Sequence, residues 1–291
     1  MATRKIIEAE IGDLAGLGGI VTTYKEIAAT RITRTRNSVL KSHTFLTEIN
    51  EMFFQVKTSY RQEVARFTNQ KKLKDPSKIS FIKHNGKTVA VYLSSNTGLY
   101  GDIVKRTFDL FSKEARGTGY DIAVMGKLGL RLVEESKFPP PYAYFDFPDQ
   151  RMDDQKLREI ASYLIKYEKV VVFYEQFQTL VNQVPVASDI SGNSLSAAQT
   201  TSAPALKYLF EPSLEKVLQF FEKEIFAQVF EQTIRDSQLA KFASRLVTLD
   251  AASENIKKRL DRIVFEAVRL SHREKNKKQS QTFSSMSLWT T

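Results

Sequence analysis

Two apolar seams, one at each end of the chain, constrain its fold more than any other feature. Stepping alternately by four and three from Ile7 passes through Ile11, Leu14, Gly18, Val21, Lys25, Ala28, Ile32, Thr35, Val39, Ser42, Leu46, Ile49, Phe53 and Val56, and eleven of these fifteen positions are apolar. The same stepping from Phe242 passes through Leu246, Leu249, Ser253, Ile256, Leu260, Ile263, Ala267 and Leu270, eight of nine apolar. This heptad spacing holds one stripe of a helix against a partner helix. No proline falls within residues 1–75 or 213–291, so the helical hydrogen-bond ladder can run unbroken in both. Glu211-Pro212-Ser213 predicts a helix start with Ser213 as N-cap. A helix from Ser213 to Lys278 would span on the order of 95 Å at about 1.5 Å per residue, too long to bury in a globular core. The prediction is an antiparallel two-helix coiled coil, formed by residues 1–72 and 207–291, with the rest inserted between. One defect interrupts the first seam: IGDLAGLGG at 11–19 brings in Gly12, Gly16, Gly18 and Gly19, each costing a helix about 1 kcal/mol relative to alanine. No strand precedes it, so it predicts a close helix contact or a bend rather than a nucleotide loop.

Residues 75–190 follow a different rhythm. Ile79–Lys83 and Thr88–Leu93 flank Asn85-Gly86, which predicts a hairpin. A helix is expected over Asp102–Glu114, a strand over Asp121–Met125, a turn at Gly126-Lys127-Leu128-Gly129 and a short helical stretch to Glu135. After Phe138-Pro139-Pro140-Pro141 come an edge strand at Tyr144–Phe147, a helix over 153–167 and a buried strand over Lys169–Phe177. Alternating strands and helices predict a Rossmann-like α/β domain with a mostly parallel sheet. From Gln183 to Ala205 the chain turns small and polar, which predicts a surface connection, with 191–206 as its flexible part.

The stretch SSNTGLYGDIV (94–104) lies between an apolar strand and a helix, the layout of a phosphate-binding turn. It carries two glycines, Gly98 and Gly101, but lacks the G-x-G opening of a dinucleotide fingerprint. Gly126-Lys127 lacks both the following Ser or Thr and the earlier glycine of a P-loop. There are no cysteines, and the three histidines (His43, His84, His272) have no ligand-like spacing, so a disulfide framework and a thiolate zinc site are excluded. No Ser/His/Asp set or carboxylate pair stands out. No catalytic, cofactor-binding or metal residue is therefore expected. No stretch approaches the roughly 20 apolar residues that cross a bilayer, and MATRKIIEAEIGD has no apolar signal region. A cytoplasmic chain without membrane insertion is the expectation.

The net charge of +10 is concentrated in the two seams. Thr22–His43 holds Lys25, Arg31, Arg34, Arg36 and Lys41 against Glu26; Asn255–Lys278 holds nine basic residues against Asp261, Glu266 and Glu274. These contribute +4 and +6, and the remainder of the chain balances. Antiparallel pairing is expected to bring the two runs to a similar height, as one basic collar facing an acidic partner. The candidate contact residues are Lys25, Arg31, Arg34, Arg36, Lys257, Lys258, Arg262, Arg269 and Arg273. A basic coiled coil could instead bind nucleic acid in a steeply salt-dependent way, but aromatics are not interleaved with the basic runs as base stacking requires.

In this order of parts the chain resembles the γ subunit of F-type ATP synthases. GLYG (98–101) after an apolar strand is similar to the family's G-L-C-G stretch. VVFYEQF (171–177), continued by Gln183-Val184-Pro185-Val186, resembles its strand ending in Tyr-x-x-Phe. LKYLFEPSLEKVL (206–218) resembles the entry to its C-terminal helix, and SRLVTLDAASENI (244–256) is similar to its R-M-x-A-M-x-A-A-T-x-N segment, through Arg245, Leu246, Leu249, Asp250, Ala251, Ala252, Ser253 and Asn255. The resemblance implies a rotor shaft inside a ring of three α and three β subunits. It implies an α/β domain set against the ε subunit and the membrane c-ring, and a peripheral place on the cytoplasmic side of the cell membrane in a proton-transporting complex. Nucleotide chemistry would belong to the β subunits, whose acidic lever loops suit a basic shaft. Three places depart from the family: GDLAGLGGIVTTYK replaces its N-terminal S-V-x-N-T-x-K-I-T-x-A-M pattern, Ser271-His272 replaces an Arg-Gln pair, and QSQTFSSMSLWTT stands at the usual Gly-Ala terminus. Both a divergent synthase shaft and a paralogue serving an F-type-like ATPase with another output fit these departures.

Overall fold

The first seam folds as one helix, α1 (Ala2–Ser59), and the second lies within another, α5 (Leu214–Ser287). Between them come β1 (Thr88–Leu93), α2 (Ile103–Ala115), β2 (Asp121–Met125), α3 (Lys127–Glu135), β3 (Tyr142–Phe145), α4 (Asp154–Leu164), β4 (Lys169–Phe177) and β5 (Gln183–Asp189). The computed structural model describes residues 2–59, 82–149, 153–191, 211 and 213–287. The expected continuation of α1 to residue 72, the strand residues 79–81 and the polar segment from 192 lie outside the described residues. The chain divides into two compact units, residues 1–30 with 245–291, and residues 31–244.

In the first unit the seam decides which side of each helix is covered. Ile7, Ile11, Leu14, Gly18, Val21, Lys25 and Ala28 are buried or half-buried, whereas Gly12, Asp13, Ala15, Gly16 and Leu17 are exposed. Lys25 forms an ion pair with Asp250, Gly18 faces Ile256, and the Arg259 guanidinium donates to Glu10 Oε1 at 2.8 Å. Rising numbers on α1 meet falling numbers on α5, so the helices run antiparallel. The helix is continuous through its four glycines. A Cβ built on Gly18 would meet Ile256 Cγ2 at 3.6 Å, an ordinary contact, while Gly12, Gly16 and Gly19 have nothing within 4 Å. Close helix approach therefore accounts for one glycine of the four.

In the second unit, Phe53 and Val56 of α1 pack on Leu214, Leu218 and Phe221 of α5. Ser213 caps α5 as expected, its Oγ accepting from the Lys216 N–H at 3.4 Å. The sheet has the order β3-β2-β1-β4-β5, the first four strands parallel and β5 antiparallel to β4. Side chains alternate across it, as the pleat requires. Val89, Val91, Leu93, Val170, Val172 and Tyr174 face α4 and the α5 residues Phe226, Phe230 and Ile234. Ala90, Tyr92 and Phe173 belong to the other core, with Phe108 and Phe111 of α2 and Val133 of α3.

Several expectations are corrected. The hairpin at Asn85-Gly86 is not seen among the described residues, because β1 is flanked on both sides by parallel strands, β2 and β4, and residues 82–87 carry no strand. Gly86 does take a left-handed φ of 72°, but the turn is tied to the end of α4, with Asn85 N–H donating to Lys166 O at 2.8 Å. Residues 183–189 form β5 rather than a loop; Pro185, opposite Glu175, is tolerated because β5 is an edge strand. Gly126–Gly129 is not a free turn, since α3 begins at Lys127 directly after Gly126. The edge strand β3 lies two residues earlier than expected, and α4 ends three residues sooner.

Candidate functional site

The strand order reverses between β1 and β4, and in open α/β sheets the crevice beyond the strand ends at that point is where ligands bind. The loop after β1 lies there, and its donors are already engaged. The backbone N–H groups of Asn96 and Thr97 donate to the two carboxylate oxygens of Asp149, each at 2.7 Å. The Thr97 hydroxyl donates to Oδ2 at 2.7 Å and the Tyr100 hydroxyl at 3.4 Å. Asn96 ties the loop down on two further sides, donating to Asp146 Oδ1 at 2.6 Å and accepting from the Lys127 N–H at 2.8 Å. The phosphate-cradle layout is thus present, but a carboxylate of the same chain occupies it. Nothing in the spacing of the sequence marks Asp149, which lies 53 positions from Asn96.

The glycines beside this loop serve close packing. A Cβ on Gly129 would stand 2.6 Å from Ser94 Cβ, and one on Gly126 would meet the Ser95 backbone at 2.8 Å. Their absence lets the first turn of α3 cap the loop, with Leu128 N–H donating to Ser95 O at 2.9 Å.

Helix α5 crosses the same edge of the sheet. Lys241, 5% exposed, donates from Nζ to the carbonyl oxygens of Leu93, at 3.2 Å, and Ser94. The same ammonium lies 3.5 Å from Glu175 Oε2, which accepts from Ser237 Oγ at 2.7 Å. Glu175 is fully buried at the end of β4. One turn beyond Lys241, Ser244 Oγ donates to Tyr100 O at 2.7 Å, and the Phe242 ring lies 6.4 Å from that of Tyr100. Beside this row, burial pushes the Asp236 carboxyl up to about 6, opposed by a hydrogen bond from the Phe177 backbone. Burial and the charge of Asp236 raise the Tyr174 hydroxyl to about 12. The sequence treats Ser237, Lys241 and Ser244 as ordinary helix residues, because their partners Glu175, Leu93, Ser94 and Tyr100 lie 62 to 148 positions away.

Within the first unit the candidate contact residues stand at different heights along the helix pair. In the first unit Lys25 is level with Asp250 and paired to it. Lys257 lies seven residues and Arg273 twenty-three residues beyond Asp250, about 10 and 35 Å further along the helix. Those residues run beside the first turns of α1, as the Arg259–Glu10 pair shows. Lys257, Lys258, Arg262, Arg269 and Arg273 are exposed, with Lys258 near Glu254 at 3.5 Å. In the second unit Arg34 and Arg36 are exposed and Arg31 is half-buried. Sequence charge alone does not set these heights, because a heptad seam is compatible with any register shifted by seven.

These features define a protein of long heptad helices at both ends, with an inserted Rossmann-like domain whose ligand crevice is closed by side chains of its own. Among the described residues there is no cluster of three or more metal-type ligands, and no helix is long and apolar enough to cross a membrane. The chain belongs to the ATP synthase family, whose model matches residues 3–270. It is 23% identical over 282 residues to the ATP synthase gamma chain of Halothermothrix orenii, covering 90% of this chain and 91% of that one. To the ATP synthase gamma chain of Flavobacterium johnsoniae it is 22% identical over 270 residues, covering 88% and 87%. Its fold is similar to a chain of the Tetrahymena thermophila mitochondrial ATP synthase central stalk and c-ring structure, with a TM-score of 0.54 at 15% identity, covering 80% of this chain and 99% of that one.

Proposed function

We propose that this chain is the central-stalk γ subunit of an F-type, proton-translocating ATP synthase. In this reading it turns inside a ring of α and β subunits, rests with the ε subunit on the membrane c-ring at the cytoplasmic face, and contributes no catalytic group. The observation that carries it is the end-to-end match to ATP synthase gamma chains in a chain whose nucleotide crevice is filled by Asp149, Ser237 and Lys241. Torque requires a stiff rod, and two paired helices are stiffer than one. Lys25, Arg31, Arg34, Arg36, Lys257, Lys258, Arg262, Arg269 and Arg273 are assigned to contacts with acidic loops of the ring. Exposed charges give shallow, salt-screened contacts, which suits a surface that must slide.

The test is affinity purification of the tagged full-length chain from native membranes, with subunits identified by mass spectrometry. Recovery of ATPase α and β subunits is expected; recovery of nucleic acid with no ATPase subunit refutes the reading. The glycine-rich 11–19 stretch and Ser271-His272 favour, as a second reading, a paralogue in an F-type-like ATPase with another output. ATP-driven acidification of vesicles carrying the purified complex separates the two.

A further inference from the structure

Most of the contact between α5 and the sheet is apolar, through Phe226, Phe230 and Ile234. Apolar packing opposes separation but is non-directional, so by itself it holds a helix weakly against sliding or turning about its axis. The row Ser237, Lys241, Ser244 is different. Its spacing of four and then three places all three residues on one helix face. All three are at least nine-tenths buried, and each donates a hydrogen bond to the α/β domain: to Glu175, to the carbonyls of Leu93 and Ser94, and to the carbonyl of Tyr100. Two of those acceptors are main-chain oxygens at the end of β1, a strand paired on both sides. A helix shifted by one residue would withdraw all of these donors at once and leave Glu175 buried without its cation.

Glu175 Oε1 is buried without a hydrogen-bond partner, and the cavity bounded by Ser94, Tyr100, Asp149, Ser237 and Lys241 measures about 20 Å³, room for a single water.

We infer that Lys241, held by Glu175 and flanked by Ser237 and Ser244, is the positioning residue that locks α5 in phase with the α/β domain, so that torque applied to the domain turns the helix rather than slipping past it. The inference rests on the shaft reading above.

The experiment uses the whole complex in inverted membrane vesicles, measuring ATP hydrolysis and ATP-driven proton uptake on the same preparation. Lys241→Met is compared with wild type, with Lys241→Arg, and with the charge-balanced pair Lys241→Met plus Glu175→Met. The lock predicts that Lys241→Met lowers protons taken up per ATP hydrolysed by roughly five-fold or more, the factor by which loss of a charged hydrogen bond shifts a two-state ratio. Lys241→Arg retains most of the wild-type ratio. The charge-balanced pair regains thermal stability and assembly, because no charge is stranded, yet still slips, because the bonds of Lys241 and of Ser237 to Glu175 are gone. Recovery of coupling together with stability in that pair overturns the lock and leaves Lys241 with a purely structural role. An unchanged ratio in an assembled Lys241→Met complex also overturns it. If instead the wild-type chain never incorporates with ATPase subunits, the shaft reading itself falls, and the lock with it.

Discussion

Asp149→Ala is the substitution that most directly probes the closed crevice. It removes the acceptor for two backbone N–H groups and the Thr97 hydroxyl, all at 2.7 Å, and for the Tyr100 hydroxyl at 3.4 Å. Hydrogen bonds to a charged acceptor contribute about 1.5–3 kcal/mol each when the donors have no alternative. Here Asp149 is half-buried, so water can reach the emptied cradle and restore part of the loss, and the net cost is about 2–3 kcal/mol. The unit containing the loop spans residues 31–244, and for that size each kcal/mol moves the midpoint by about 2–4 °C, giving a drop of about 4–12 °C. Differential scanning calorimetry of the full-length chain at pH 7 measures it. The emptied cradle presents two converging N–H groups and a hydroxyl, a geometry that suits an anion. Inorganic phosphate is therefore expected to raise the midpoint of Asp149→Ala while leaving wild type unmoved. A variant as stable as wild type, or equal effects of phosphate on both proteins, refutes the view that Asp149 fills an anion cradle.

Gly12→Ala and Gly16→Ala, at positions with open space around them, are expected to stabilise α1 by up to about 1 kcal/mol each, whereas Gly129→Ala drives a Cβ to 2.6 Å from Ser94 Cβ and is expected to cost about 1–3 kcal/mol; urea denaturation of the three variants gives opposite signs if the packing is as described. Asp236 has a folded-state carboxyl raised by burial to about 6 from 3.8, so the folded chain binds the proton more tightly, and its contribution to stability is greatest below about pH 4 and is lost as pH rises through about 6. Asp236→Asn should therefore gain on wild type between pH 4 and pH 7 in urea midpoints, and a pH-independent difference would sink that assignment. Charge reversal at Arg262 together with Arg269, both exposed, should weaken torque coupling more than subunit assembly, and unchanged ATP-driven rotation in the double variant would count against an acidic partner there.

The local rules were legible wherever one residue's neighbours in sequence are also its neighbours in space. Both long helices, α2, β2 and β4 are near their expected places because apolar spacing alone distinguishes a helix from a strand. The hairpin expected at Asn85-Gly86 is not seen among the described residues, for a non-local reason. The turn signal is real, with Gly86 in a left-handed conformation, but β1 takes both its partners from distant strands. Strand β5 was hidden because an edge position tolerates Pro185 and polar residues that a central strand would not.

By itself, the sequence determined that two long amphipathic helices flank an α/β domain with a mostly parallel sheet and that no standard nucleotide fingerprint is present, because periodicity and motif spacing are local properties. Register and occupancy were decided only in three dimensions. A heptad repeat looks the same after a shift of seven, so only specific pairs such as Lys25 with Asp250 and Arg259 with Glu10 fix which charges stand level. The loop SSNTGLYGDIV retains the geometry of a phosphate cradle. That it grips Asp149, with Lys241 bonded to the carbonyls of Leu93 and Ser94 beside it, depends on residues 53 and about 150 positions away being folded against it, and no local pattern encodes such contacts.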